Sequence, residues 1–259
     1  MARLCPLFSG SKGNSYYIGS KTQGVLIDAG RSAKQLENAL RNCRIDPSAV
    51  KAIFITHEHS DHISGLRVFA NRYSLPVLTS RGTISAIRKT MDVDTYEIKD
   101  DICIEDMRIS CFHTSHDCRE PLGFCVHTHD GKKLSIATDL GNISEEVEAS
   151  LAESDMCIIE SNHDIEMLKH GPYPFYLQKR ILSSKGHLSN DDCSNFLPWL
   201  AKHGTKRFLL AHLSAENNTR RIAMESALSS LIKSGFIQGE DFILDAARPD
   251  NPEGNTVVF

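Results

Sequence analysis

The stretch that decides the fold reads THEHSDH at residues 56–62, directly after the apolar run Ala52–Ile55. A short apolar run that ends at polar residues predicts a buried strand. Four candidate metal ligands then fall within six residues, namely His57, His59, Asp61 and His62. A helix cannot aim this spacing at one point, whereas a loop leaving a strand end can. Imidazole and carboxylate groups without a thiolate suit Zn²⁺, Mn²⁺ or Fe, so the stretch predicts a metal site.

The pattern His57-x-His59-x-Asp61-His62 resembles the signature of the metallo-β-lactamase superfamily. The resemblance implies an α/β fold, an αβ/βα sandwich of two mixed sheets flanked by helices. It also implies two divalent metal ions per chain, either Zn²⁺ or Mn²⁺, with Fe as a further option. In that family the motif supplies ligands to both metals, two distant histidines complete the sites, and an aspartate bridges the two ions.

Three later strand ends supply residues that match the remaining family positions. His116 resembles the third histidine because it lies deeper in the loop 111–117, and His113 at the strand end is the alternative. Asp139 resembles the bridging carboxylate, since the nearby Gly141 argues against its other role as a helix cap. His212 ends an apolar strand and resembles the last histidine. The predicted ligands are His57, His59, Asp61, His62, His116, Asp139 and His212.

Composition limits the function classes that this chain can belong to. The 259 residues are 41% hydrophobic and 24% charged, which excludes a disordered or fibrous protein. The net charge of −4 provides no global basic field, so nucleic acid would need a local positive patch. No stretch of 18 apolar residues is present, so we expect no membrane association. Eight scattered cysteines without a Cys-x-x-Cys pair indicate reduced thiols and a cytoplasmic location.

The order of predicted elements favours one domain over residues 1–259. No linker rich in Pro, Gly or Ser interrupts the chain, and the interval from Asp139 to His187 is too short for an inserted β-CASP cap domain. Strands are predicted at residues 16–18, 25–27, 52–55, 76–78, 102–104, 108–112, 123–127, 133–137, 156–160, 207–211, 242–244 and 256–258. Helices are predicted after Ser32 and near residues 65–73, 84–88, 144–153, 176–183, 190–203 and 216–234.

A second set of motifs narrows the reaction, because the superfamily hydrolyses lactams, thioesters, lactones and phosphodiesters. The pair Gly186-His187, ahead of a helix and His212, is similar to RNase Z enzymes, where the histidine assists at the scissile phosphate. Glu160 resembles the carboxylate that orients this histidine. The resemblance therefore implies catalytic roles for His187 and Glu160. Asp61 is a further catalytic candidate, which would accept a proton or orient the water while also binding metal. Local positive charge comes from Lys179, Arg180, Lys185, Arg220 and Arg221.

Motifs spread along the chain resemble the bacterial YycJ (WalJ) group of compact 5′-to-3′ DNA exonucleases. They read SGSKGN at 9–14, ESNHD at 160–164, GHLSN at 186–190 and HLSAENN at 212–218. The resemblance implies a metal-dependent hydrolase that cleaves DNA phosphodiesters with a metal-bound hydroxide. The alternatives are hydrolysis of a small phosphodiester, or of a thioester as in the glyoxalase II branch, and a non-catalytic metal-binding module.

Candidate substrate contacts are Ser9, Ser11, Asn14, His163 and Asn217. The loop at 9–15 offers backbone N–H groups and hydroxyls to a phosphate, and its alternative role is an ordinary hairpin turn. His163 is either a neighbour of the metal ligands or a structural residue. Asn217 either touches substrate or caps the following helix.

Overall fold

A computed structural model describes residues 3–258. Within that range the chain divides into two compact units. The first contains residues 3–111, 118–131 and 248–258, and the second contains residues 112–117 and 132–247. The strands group into two mixed sheets and helices accompany both, so the predicted α/β class is confirmed. One domain over residues 1–259 stays a prediction.

The elements follow one another closely, with short connections. The strands are β1 (Arg3–Phe8), β2 (Ser15–Gly19), β3 (Gly24–Ile27), β4 (Val50–Phe54), β5 (Val77–Thr79), β6 (Thr95–Glu97), β7 (Ile102–Ile104), β8 (Met107–His113), β9 (Leu122–Thr128), β10 (Lys133–Ala137), β11 (Met156–Glu160), β12 (Arg207–Ala211), β13 (Ile243–Ala246) and β14 (Val257–Val258). The helices are α1 (Ala33–Asn42), α2 (Ser60–Ile63), α3 (Leu66–Tyr73), α4 (Arg81–Ile87), α5 (Glu145–Leu151), α6 (Ile165–His170), α7 (Phe175–Ile181), α8 (Asn190–Lys202) and α9 (Arg220–Lys233), with a 3₁₀ turn at Pro47–Ala49.

The first unit is built on a sheet in the order β14-β1-β2-β3-β4-β5-β6. Its first four strands pair antiparallel, and β3 to β6 run parallel. Apolar residues of α1 and α3, such as Leu36 and Phe69, join Leu26 and Ile53 of the sheet in one buried cluster. Because β4 is a buried central strand, it fixes where the following residues 56–62 begin.

The second unit contains four parallel strands in the order β10-β11-β12-β13. Their registers pair Ile136 with Ile158 and Ile158 with Leu209. Parallel strands end at the same edge of a sheet, where α/β proteins commonly bind ligands. Asp139, Glu160 and His212 lie at or just beyond the carboxyl ends of three neighbouring strands. The fold of this unit therefore brings three candidate site residues to one edge.

Sequence patterns predicted most strands and α-helices correctly and missed four short ones, besides the 3₁₀ turn at Pro47–Ala49. Every predicted strand is present, and Ser32 caps α1 by accepting a hydrogen bond from the Gln35 N–H. The strand β1 was missed because Pro6 interrupts its pattern, and the register of its pairing with β2 shifts between Pro6 and Phe8. β6, α2 and α6 were also not predicted. α9 begins at Arg220 rather than near residue 216, because Thr219 is its N-cap.

No helix within residues 3–258 combines the length and the apolar character needed to cross a bilayer.

Candidate functional site

The residues 57–62 that follow β4 form a compact group in the first unit, called here the first histidine group: His57, His59, Asp61 and His62. The His57 ring centroid lies 4.6 Å from that of His59 and 4.1 Å from that of His62. The Oδ2 of Asp61 is 3.4 Å from the Nε2 of His62. The prediction of one continuous loop is wrong in part, because Asp61 and His62 lie in α2, whose N-cap is His59.

A buried carboxylate that the sequence analysis missed, Asp28, supports this group. Its Oδ2 lies 2.7 Å from the Nδ1 of His62, and its Oδ1 accepts hydrogen bonds from the N–H and Oγ1 of Thr56. Burial raises the pKa of Asp28 although the neighbouring His62 opposes that shift. Asp28 directly follows β3 and has a φ of 63°. It could have been found by the rule that singled out Asp139, an aspartate at the end of an apolar strand.

Asn14 ties the first histidine group to the loop between β1 and β2. Its Nδ2 lies 3.3 Å from the Oδ2 of Asp61 and 3.1 Å from the Nε2 of His62, and its N–H donates to the Asp61 carbonyl. Ser9 contacts the hydroxyl of Tyr16, and Ser11 is exposed. The loop joins two antiparallel strands, as in its hairpin alternative. Substrate contact by Ser9, Ser11 and Asn14 stays a prediction.

Gly30 lies where two backbone segments of the first unit approach each other. A Cβ at this position would lie 1.7 Å from the carbonyl oxygen of Asp61 and 2.5 Å from the nitrogen of Asn14. We expect Gly30→Ala to destabilise the protein by about 3 kcal/mol, because backbone cannot move aside as a flexible side chain can. Urea unfolding measures this loss.

Gly131→Ala is the matched control for this substitution. Gly131 has a φ of 77°, and no atom of residues 3–258 lies within 4 Å of a Cβ placed there. The control variant should lose only about 1–2 kcal/mol, the cost of the left-handed backbone for a residue with a Cβ. Equal stability of Gly30→Ala and the natural chain would contradict the close approach.

The second unit holds another compact set, called here the second histidine group: His116, Asp139, Glu160, His187 and His212. Glu160 is fully buried at its centre. Its Oε1 lies 2.9 Å from the Nδ1 of His187 and 2.6 Å from the Nδ1 of His212. Its Oε2 accepts hydrogen bonds from the N–H groups of Leu140 and Leu188.

The charge state of Glu160 follows from these contacts. Burial alone would raise its pKa, but His187 and His212 together lower the pKa of Glu160 to about 2. Burial acts to lower the pKa of His187, and the Glu160 carboxylate outweighs it and raises that pKa overall. The pair is therefore a carboxylate that orients a histidine and favours its protonated form.

Asp139 brings the histidines of this group together. Its Oδ1 lies 3.6 Å from the Nε2 of His116, 3.6 Å from the Nδ1 of His212 and 3.8 Å from the Nδ1 of His187. Asp139 does not cap a helix, because Ser144 is the N-cap of α5. The alternative ligand His113 is exposed and contacts Glu146 instead. Among the two candidates, His116 is thus the one that shares a group with Asp139.

The donors of the second histidine group lie close enough together to hold a divalent cation. One ligand atom from each of Asp139, Glu160, His187 and His212 lies within 4.8 Å of the others. Histidines that bind metals usually present one ring nitrogen to the metal and hold the other at an acceptor. That arrangement recurs in four histidines of the two groups. The Nδ1 of His57 lies beside the Thr56 hydroxyl, and the Nδ1 of His62 lies beside the Asp28 carboxylate. The Nδ1 of His116 lies beside the Gly186 carbonyl, and the Nδ1 of His212 lies beside the Glu160 carboxylate. The Nδ1 contacts fix the four rings, and a ligand role for their Nε2 atoms stays a prediction.

Two predicted substrate contacts are buried in the second unit. His163 is 1% exposed, and burial lowers its pKa to about 4. Among the residues that the structure describes, neither of its ring nitrogens has a hydrogen-bond partner. Asn217 is fully buried, and its main-chain carbonyl accepts a hydrogen bond from the main-chain N–H of Asp164. The capping role considered for Asn217 is wrong, because Thr219 caps α9. Substrate contact by His163 and Asn217 stays a prediction.

Comparisons with known proteins agree with the geometry. The family described as the β-lactamase superfamily domain matches residues 23–213. Exodeoxyribonuclease YycJ of Bacillus anthracis is 35% identical over 252 residues, which are 95% of each chain. Exodeoxyribonuclease WalJ of Streptococcus pneumoniae is 34% identical and covers 94% of this chain and 93% of its own.

The solved structure of the metallo-β-lactamase fold protein YhfI from Bacillus subtilis matches over 100% of both chains, with a TM-score of 0.72 and 15% identity. That likeness confirms the predicted fold. The predicted resemblance to the YycJ (WalJ) group is confirmed by the two relatives. The chain therefore belongs to the metallo-β-lactamase superfamily, within the family of the exodeoxyribonucleases YycJ and WalJ.

Proposed function

We propose that this protein is a metal-dependent phosphodiesterase that degrades DNA from an end in the 5′-to-3′ direction. The observation that carries the proposal is the buried Glu160–His187 pair beside Asp139, which is the arrangement needed to deliver a proton at a phosphodiester. The names of the relatives YycJ and WalJ support DNA as the substrate. A small phosphodiester or a thioester remains the alternative substrate.

Two divalent ions, Zn²⁺ or Mn²⁺ with Fe as a further option, are the proposed cofactors. Such ions supply positive charge to the phosphate oxygens and lower the pKa of a water. The proposed ligands are His57, His59, Asp61, His62, His116, Asp139 and His212. Their support is the close approach of the donors within each histidine group, together with the ligand pattern implied by the family.

The protein side chains have separate tasks in this proposal. Glu160 holds the Nδ1 of His187, so the Nε2–H of His187 is free to face the leaving oxygen and to donate a proton to it. Asp61, held by Asn14, orients the attacking water or accepts its proton. Ser9, Ser11, Asn14, His163 and Asn217 are proposed to lie near or support the bound phosphate.

A cytoplasmic location completes the proposal. The eight cysteines are scattered along the sequence without a Cys-x-x-Cys pair, a pattern that supports reduced thiols and therefore a reducing compartment.

The proposal is tested with purified protein, Mn²⁺ and DNA that carries a label at one end and a nuclease-resistant block at the other. We expect mononucleotides from DNA with a free 5′ end, and little release when the 5′ end is blocked. Removal of the metal with EDTA should abolish the activity, and added Mn²⁺ or Zn²⁺ should restore it.

Bis(p-nitrophenyl) phosphate and S-lactoylglutathione serve as the comparison substrates. Turnover of S-lactoylglutathione without any release of nucleotides, beside an active control nuclease, would reject the DNA phosphodiesterase and favour the thioester alternative.

A further inference from the structure

One segment of the second unit has a charge opposite to that of the chain. Residues 167–190 contain no aspartate or glutamate, although the whole protein has a net charge of −4. The segment carries the cations Lys169, Lys179, Arg180 and Lys185. Lys169 pairs with Glu166 and Arg180 pairs with Asp117. No carboxylate within residues 3–258 pairs with Lys179 or Lys185, so this segment forms a local basic field.

The same segment exposes two aromatic side chains at the start of α7. Phe175 is 69% exposed and Tyr176 is 75% exposed, more than any other large hydrophobic residue in the described range 3–258. The Lys179 ammonium lies 4.7 Å from the centroid of the Phe175 ring. Aromatic residues gain free energy when they are covered, so an exposed pair beside cations indicates a surface for a partner.

α7 is directly connected to the proposed catalytic histidine. The N–H of His187 donates to the carbonyl of Ile181, the last residue of α7, over 3.0 Å. A Cβ at Gly186 would lie 2.1 Å from that same carbonyl oxygen, which shows how tightly the chain turns here. The carbonyl of Gly186 in turn faces the Nδ1 of His116. The carboxyl-terminal end of α7 is therefore hydrogen-bonded to the backbone of His187.

We propose that α7 and the loop up to Lys185 bind single-stranded DNA and guide it to His187. Bases stack on Phe175 and Tyr176, and Lys179 and Lys185 contact the phosphates between them. Rings beside cations match a strand in which every nucleotide carries both a base and a phosphate. The inference rests on the proposed function, because the bound strand is the substrate of that reaction.

The test measures the binding of a fluorescent single-stranded oligonucleotide by anisotropy, using the full chain. Phosphorothioate linkages protect both ends of the oligonucleotide, so the measurement does not depend on cleavage. We expect the double variant Phe175→Ala/Tyr176→Ala to bind about ten-fold more weakly for each stacked base. An abasic strand should bind the natural protein weakly, and the double variant should no longer distinguish it from the base-bearing strand.

Tyr96→Ala is the control for the aromatic residues, since Tyr96 is 51% exposed on β6 of the first unit and should leave binding unchanged. The variants Lys179→Gln and Lys185→Gln test the phosphate contacts. Each should reduce the slope of log K against log salt by about 0.7, the value for one phosphate of a single strand. Lys233→Gln, at the end of α9, is the matched lysine control.

Undiminished DNA binding by the double variant would overturn the proposal. Binding of the natural protein to phosphatidylserine vesicles that depends on Phe175 and Tyr176, with DNA binding unchanged, would also overturn it and assign the surface to membranes. The proposed function fails by a different result, namely no hydrolysis of unprotected DNA, and that result would leave this binding measurement standing.

Discussion

Replacing Asp139 with asparagine is expected to lower kcat on DNA about a thousand-fold and to reduce the bound metal. The Oδ1 of Asp139 lies within 3.8 Å of a ring nitrogen of each of three histidines, so its negative charge interacts with all three. An amide removes that charge and provides a weaker ligand for a divalent cation. Steady-state kinetics and metal analysis by mass spectrometry measure the two effects.

The asparagine variant is chosen because it isolates chemistry from folding. Asp139 has a φ of 54°, and asparagine tolerates this left-handed backbone better than most residues do. The melting temperature should therefore change little. Asp191→Asn, on the exposed surface of α8, is the control and should retain full activity. An Asp139→Asn enzyme that keeps its metal and its kcat would show that Asp139 is no ligand.

Replacing Glu160 with glutamine is expected to lower kcat by about a hundred-fold to ten-thousand-fold. Glu160 accepts hydrogen bonds on both oxygens, from His187 and His212 on one side and from two backbone N–H groups on the other. A glutamine turns one of those two acceptor oxygens into an N–H donor. Either the histidines or the backbone N–H groups then face another donor instead of an acceptor. The lost orientation of His187 should appear in kcat more than in KM.

The buried mismatch should also destabilise the fold by roughly 1–3 kcal/mol, which thermal unfolding measures. A shift of the pH profile of kcat separates a loss of His187 orientation from simple unfolding, because the pKa of His187 is raised by Glu160. Glu166→Gln, on exposed α6, is the matched control. If Glu160→Gln were as active as the natural protein, the proposed positioning of His187 would be wrong.

One rule, that polar residues at the end of an apolar strand are candidates for the site, explains why so much of the site could be predicted from the sequence. Apolar runs such as Met156–Glu160 and Arg207–Ala211 are short and sharply bounded, so the polar residues at their ends stand out. Parallel pairing then brings Glu160 and His212 to the same edge without any further information. The rule also covers Asp28, which was overlooked only because it lies outside the histidine motif.

Other features depend on contacts that no local pattern contains. The Nδ1 of His116 is held by the carbonyl of Gly186, seventy residues along the chain. The strand β1 pairs with β2 despite Pro6, because tertiary packing outweighs a weak local preference. The short helix α2 follows from the extended backbone of His59 at its N-cap, which the sequence motif does not reveal.

The unusual backbone at the site has a consequence for protein engineering. Within residues 3–258, seven non-glycine residues have a positive φ, and Asp28, Asp139 and His212 are among them. Glycine adopts this conformation without strain, so a design rule that counts only backbone strain would favour glycine at these three positions. Each such replacement would remove a side chain of the metal groups or of their support. Thermostable versions of this enzyme should therefore be sought with those positions held constant.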